Sequence, residues 1–243
     1  MRCFLINLKN QGSRLEFMSD QLASMEIPFE RFEAIDASIL SQDEINNFCD
    51  SKKIISVYKK KFTRWEIWCA LSHRAIYQKM IDENIEECLI LEDDIIFDQE
   101  KFINLYRRVS ENKKWEYLSV NYDIFDKEFR QNFFKYQKPE NFMKNIILTM
   151  LMYAYIPLES LQQYIGNRIW STIMFSPRPL HLSWVYFLRK EGAKKLLNIS
   201  SKITCPADYL QNQARIKKWL KLYFVSPQIV RQYREKFGSS TRK

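Results

Sequence analysis

Glycine is scarce in this chain. Gly12, Gly166, Gly192 and Gly238 stand far apart among 243 residues. A glycine-rich phosphate loop of the Walker or Rossmann kind needs several glycines close together, so that way of holding a nucleotide is excluded. Histidine is scarcer still. His73 and His181 are the two in the chain, too few for the ligand-rich two-metal sites of phosphoesterases and nucleases. The five cysteines, Cys3, Cys49, Cys69, Cys88 and Cys205, are odd in number, form no C-x-x-C pair and sit mostly in apolar surroundings. Buried thiols in a reducing compartment are the economical reading, and a cytoplasmic location is expected. Long apolar runs are also lacking. The longest, residues 146–156, is too short to span a bilayer. The first seven residues read as a strand and are too short for a signal peptide.

What is present is apolar residues, aromatics and positive charge. Hydrophobic residues make up 46% and aromatics 15% of the chain, enough for a sizeable core and against disorder. The formal net charge is +9, with basic residues gathered in 52–61, 107–114 and 215–243. Such a surface attracts nucleic acid, anionic lipid or phosphorylated glycans, and it also suits a merely solvated face.

The chain opens with a strand over residues 2–8. A helix capped by Ser13 follows, with Leu15, Met18, Leu22 and Met25 at helical spacing, and a second strand over 29–35. Strand, helix, strand predicts a βαβ unit and a parallel α/β sheet. Ser41–Glu44 and Thr63–Glu66 have the form of capping boxes, the second opening a long helix to about residue 82. A basic loop over 52–61 is expected between them. Residues 99–109 predict an amphipathic helix and 115–121 a strand. From 125 to 179 no clear period holds, and the one element expected there is a helix over 146–155 ended by Ile156-Pro157. A strand over 182–188, a helix over 189–197, a helix from Cys205 to about Leu220 and a strand over 222–225 close the pattern, followed by a fraying tail from Arg231. Trp219, Leu220, Leu222, Tyr223 and Phe224 among Lys217, Lys218 and Lys221 read either as a peripheral membrane anchor or as core with solvated lysines. No internal repeat and no long linker is visible.

The stretch with the most chemistry is Cys88-Leu89-Ile90-Leu91-Glu92-Asp93-Asp94. Its apolar part predicts a central buried strand. Three consecutive carboxylates repel one another and call for a positive partner, of which a hard divalent cation is the simplest. If the strand continued, Glu92 and Asp94 would face one way and Asp93 the other, forming an acid-x-acid clamp for Mg or Mn and phosphates. A polar turn capping the next helix is the plain alternative. In parallel sheets ligands bind beyond the carboxyl ends of strands, and Asn7, Asp36 and Glu92 all fall at such ends. Glu66, Ala70, His73 and Tyr77 share one face of the long helix.

These segments, in this order, resemble glycosyltransferase family 25, the bacterial lipooligosaccharide transferases. The resemblance is carried by Phe4-Leu5-Ile6-Asn7-Leu8 with Arg14, by Phe32-Glu33-Ala34-Ile35-Asp36-Ala37, and by Phe62-Thr63-Arg64-Trp65-Glu66-Ile67-Trp68-Cys69-Ala70-Leu71-Ser72-His73. It continues through Leu89-Ile90-Leu91-Glu92-Asp93-Asp94, Val185-Tyr186-Phe187-Leu188, Gly192-Ala193-Lys194-Lys195-Leu196-Leu197 and Pro206-Ala207-Asp208. Trp65 and Trp68 depart from it, standing where the family usually has glycine.

The resemblance implies an α/β, GT-A-like nucleotide-binding fold with a central, mainly parallel sheet flanked by helices. It implies one domain over 1–243, with residues 1–124 the nucleotide-sugar and metal half and 125–243 the acceptor half with a basic tail. It implies an inverting hexosyltransferase moving galactose, or glucose, from a UDP-sugar to a growing lipooligosaccharide at the inner membrane, with no nucleic-acid partner. Glu92 and Asp94 would hold Mn or Mg. Asn7, Leu8, Arg14, Asp36, Ser72, His73 and Asp93 would contact the donor. Asp208, or else Glu66, would be the base. His181 is a further candidate metal ligand. A metal-dependent phosphoesterase or nuclease and a basic nucleic-acid-binding protein are the competing readings.

Overall fold

The structure, a computed structural model, describes residues 1–36, 39–120, 172–175, 184–226 and 228–233. It opens as strand, helix, strand: β1 (Arg2–Asn7), α1 (Gly12–Ser24) and β2 (Glu30–Glu33). Helices α2 (Gln42–Phe48), α3 (Ser51–Tyr58) and α4 (Arg64–Asp82) lead to β3 (Glu87–Glu92). Then come β4 (Ile95–Phe97), α5 (Gln99–Arg108), β5 (Tyr117–Ser119) and β6 (Thr172–Phe175). The described part closes with β7 (Val185–Arg189), α6 (Lys190–Ile199), α7 (Ala207–Lys218), β8 (Leu222–Ser226) and β9 (Val230–Gln232).

Seven of these strands form one sheet in the order β2-β1-β3-β7-β5-β8-β6, and β4 pairs with β9. β1 runs parallel to β2 and β3, and β5 parallel to β8. β7 runs against β3 and β5, and β6 against β8. Five of the seven strands therefore point one way, which is the mainly parallel α/β architecture that the resemblance implies.

The two-residue period of β3 divides the core. Leu89 and Leu91 join Leu5, Phe187, Met18, Leu22 and Phe102 on the face covered by α1 and α5. Cys88 and Ile90 join Phe4, Ile6, Ile76, Met80, Leu196 and Leu210 on the face covered by α4, α6 and α7. Each fully buried aliphatic side chain contributes about 1.5–3 kcal/mol, so a strand apolar on both faces holds the central place. At Gly192 on α6 an added Cβ would stand 2.5 Å from the Glu116 carbonyl oxygen. Only glycine lets the helix approach β5 so closely.

Three expectations need correcting. The basic loop over 52–61 is largely helix: Asp50 caps it by accepting from Lys53 N at 3.0 Å, and Ile54 and Tyr58 turn inward one turn apart while the lysines stay outside. Ser13 does not cap α1, which begins at Gly12 with no side-chain cap. The tail does not fray at once, because Val230–Gln232 pairs with Ile95–Phe97. Both capping boxes form as expected. The helix expected over 146–155, His181, and all of 125–179 except β6 lie outside the described residues.

Candidate active site

β1 and β3 are parallel neighbours, so Asn7 and Glu92 reach the same edge of the sheet. A cleft with a cavity volume of about 190 Å³ opens there. The ends of β1 and β3 form its floor, the first half of α4 one wall, and the start of α7 another. Arg14 of α1 and Gln232 of β9 also line it.

β3 ends at Glu92, and Asp93 and Asp94 lie in the bend that follows. Strand alternation stops there, so the expected clamp of Glu92 and Asp94 opposite Asp93 is not the observed arrangement. Asp93 and Asp94 instead converge on one guanidinium: Arg14 Nη1 is 3.1 Å from Asp93 Oδ1 and 3.6 Å from Asp94 Oδ2. Asn7 Nδ2 donates to Asp93 Oδ2 at 2.7 Å, and Gln232 Nε2 donates to Asp94 Oδ2 at 2.8 Å. Glu92 turns toward α4, where its Oε1 stands 3.5 Å from His73 Nε2.

Behind Glu92 the polar contacts continue inward. His73 Nδ1 and the Tyr186 hydroxyl are 2.7 Å apart, and the Tyr186 and Tyr77 hydroxyls 3.0 Å apart. Burial pulls the His73 imidazole down to about 4, so it is neutral at physiological pH. The Glu92 carboxyl is pushed well above the usual carboxylate range. Burial is the main cause, then the charges of Asp94, Asp208 and Asp93, with Arg14 acting the other way. Burial and the same four acids also raise the Cys69 thiol, so Cys69 is no thiolate nucleophile. Four carboxylates thus meet in a cleft that Arg14 also lines.

The remaining predicted residues fall in or beside this cleft. Asn7 also donates to the Gln11 carbonyl at 3.0 Å and accepts from Arg31 Nε at 3.0 Å. Leu8 lines the wall. Ser72 Oγ accepts from Ile35 N at 3.0 Å, tying α4 to the end of β2. Asp36 lies two residues past Ala34, which lines the cleft while Asp36 does not. Asp208 sits in the first turn of α7 and lines the cleft. Glu66 lines it too, but its carboxylate is engaged by Thr63 N at 2.8 Å and Lys60 Nζ at 2.7 Å. Burial raises its carboxyl, and the bonds from Lys60 and Thr63 outweigh that, leaving it below the usual value.

Sequence reasoning missed Gln232, Tyr186 as the partner of His73, and Cys69. Gln232 follows Ile229 and Val230 in a segment that otherwise reads as polar tail, so its only signal is a short apolar pair. Among the described residues, no group of three or more His, Cys, Asp or Glu side chains is arranged to hold a metal ion unaided. Mg or Mn commonly takes one or two carboxylates and completes its shell with phosphate and water. Glu92 and Asp94 bring oxygens of that chemical type to the cleft, although here they face different partners, His73 and Arg14.

The sequence profile of glycosyltransferase family 25 (LPS biosynthesis protein) matches residues 1–211. Procollagen galactosyltransferase 2 of Mus musculus is 26% identical over 179 residues, covering 67% of this chain and 27% of the relative. A glycosyltransferase 25 family member of Aedes aegypti is 35% identical over 100 residues, covering 39% of this chain and 16% of the relative. The chain thus spans about a quarter or less of the length of these relatives. Among solved structures, A197 from STIV aligns over 92% of this chain and 81% of its own at 11% identity, with a TM-score of 0.40. The match over 211 residues takes in every carboxylate of the cleft, and the chain belongs to glycosyltransferase family 25.

Proposed function

We propose that this chain is an inverting hexosyltransferase that moves galactose, or alternatively glucose, from a UDP-sugar to a lipooligosaccharide acceptor. The observation that carries the reading is the convergence of Glu92, Asp93, Asp94 and Asp208 in one cleft at the carboxyl edge of the sheet, with Arg14 among them. The family's description as an LPS biosynthesis protein supports the acceptor class, and the galactosyltransferase relatives support the sugar.

In this reading the acceptor hydroxyl attacks the anomeric carbon from the side opposite the nucleotide. The C1–O bond to UDP breaks, and its electron pair leaves on the β-phosphate. Asp208 takes the hydroxyl proton, since the Glu66 carboxylate is occupied by its helix cap and Lys60. Arg14, fixed by Asp93 and Asp94, presents buried positive charge toward the diphosphate. Mn or Mg at Glu92 and Asp94 would supply further positive charge to the leaving group when bound. Asn7, Leu8, Ser72 and His73 border the donor, and Asp36 lies just outside.

Contact with an anionic membrane belongs to the same proposal. Among the described residues no helix is long and apolar enough to cross a membrane. The candidate anchor divides: Leu220, Leu222 and Phe224 are core, Tyr223 is half-buried, and Trp219 is 85% exposed beside Lys217 and Lys218. The test of the whole reading is a panel of sugar nucleotides, with and without manganese, scored for release of the nucleoside diphosphate. Turnover of a UDP-hexose is expected; no turnover of any sugar nucleotide contradicts it.

A further inference from the structure

The mouth of the cleft carries a feature that the donor chemistry leaves unused. Trp65, Trp68, Cys69, Ser72 and His73 all line it, and their spacing of three and four places them on one face of α4. His73 touches the acidic floor. Trp65 is eight residues nearer the start of the helix, about 12 Å along its axis. The Trp65 and Trp68 rings pack with centroids 5.0 Å apart and planes tilted by 58°. Both are only partly covered by protein. The Trp68 Nε1–H is closed off from solvent and has no acceptor among the described residues. A buried N–H without an acceptor is unfavourable, so what the pair offers the cleft is its ring surface.

We propose that Trp65 and Trp68 form the wall that binds the acceptor sugar, stacking on the apolar face of a pyranose. This inference rests on the transferase reading. Distance decides between donor and acceptor. A diphosphate lying over Arg14, Asp93 and Asp94 puts the transferred sugar next to the floor, and two helical turns farther out is the place of the sugar that receives it. Indole faces suit this task because they offer a large rigid apolar surface.

The experiment is saturation-transfer NMR on the whole chain, with UDP present, against neutral disaccharides including lactose. The wild type is expected to show transfer to at least one disaccharide, concentrated on the C–H protons of one ring face. Trp65→Ala should weaken that binding by about ten-fold while the melting-temperature rise given by UDP is kept. Trp65→Phe, which retains an aromatic face, should keep most of the binding. Trp68→Phe, which keeps an aromatic face on a smaller ring, should weaken it less than Trp65→Ala. Absence of any disaccharide signal, unchanged binding in Trp65→Ala, or loss of the UDP effect in its place would overturn the proposal. Sugar-nucleotide turnover by the wild type separates the two failures: turnover without disaccharide binding removes the wall alone, and no turnover removes the transferase reading.

Discussion

The two ends of the same strands use the same residue types to opposite effect. At the amino end of β1 and β3, Arg2 pairs with Glu30 and Glu83, Lys79 with Glu30 and Glu83, Arg189 with Glu87, and Lys190 with Glu86. Four acids meet four bases, several of them well exposed. Exposed pairs of this kind add little stability each, about 0–1 kcal/mol. At the carboxyl end, Glu92, Asp93, Asp94 and Asp208 crowd into a cleft with Arg14. Buried like charges are costly, and nothing about folding requires them. A paired edge stabilises, whereas carboxylates crowded at a cleft suit a ligand that brings positive charge.

The largest effect expected from breaking this contrast is at Asp94. Asp94→Ala should lower UDP-sugar turnover by about a thousand-fold, measured as diphosphate release, with a melting temperature close to that of the wild type. Next is Asp208→Asn, expected to lower turnover about a hundred-fold while UDP affinity, measured by calorimetry, stays within a few-fold. Equal loss of affinity and turnover there would remove Asp208 as the base.

The balanced end should respond in stability instead. Glu87 accepts from Arg189 Nε and Nη2 at 3.1 and 3.0 Å and from the Ser110 hydroxyl, with its side chain 13% exposed. Glu87→Gln should cost about 1–3 kcal/mol, read as a lower thermal midpoint, with turnover unchanged. The smallest effect is at the Thr63–Glu66 cap. Because the folded-state value of Glu66 is lowered, its contribution is complete above the ordinary glutamate value and is lost as pH falls through the lowered one. Glu66→Gln should therefore flatten the acid side of the stability profile below about pH 5, by about 0.5–1 kcal/mol.

Much of this contrast is legible in the chain itself. An apolar run ending in three acids announces β3 and the place where it meets solvent, and the helical period of α4 puts Glu66 and His73 on one face. Local rules fail where the structure is closed by distant pairing. Strand alternation cannot describe Asp93 and Asp94, because the strand stops before them and Arg14, nearly eighty residues earlier, draws both. Gln232 reaches Asp94 across 138 residues, and no periodicity in a short polar tail reports that. The lysines of 52–61 hide a helix because its inward face is only Ile54 and Tyr58.

The most direct test of the central claim is the thermal midpoint with UDP and manganese, wild type against Asp94→Ala. Ligand at about a hundred times its dissociation constant should raise the wild-type midpoint by about 5–10 °C, and most of that rise should vanish in the variant. An equal rise in both proteins, or none in the wild type, would contradict the claim that this acidic edge is built to receive a nucleoside diphosphate together with its divalent cation.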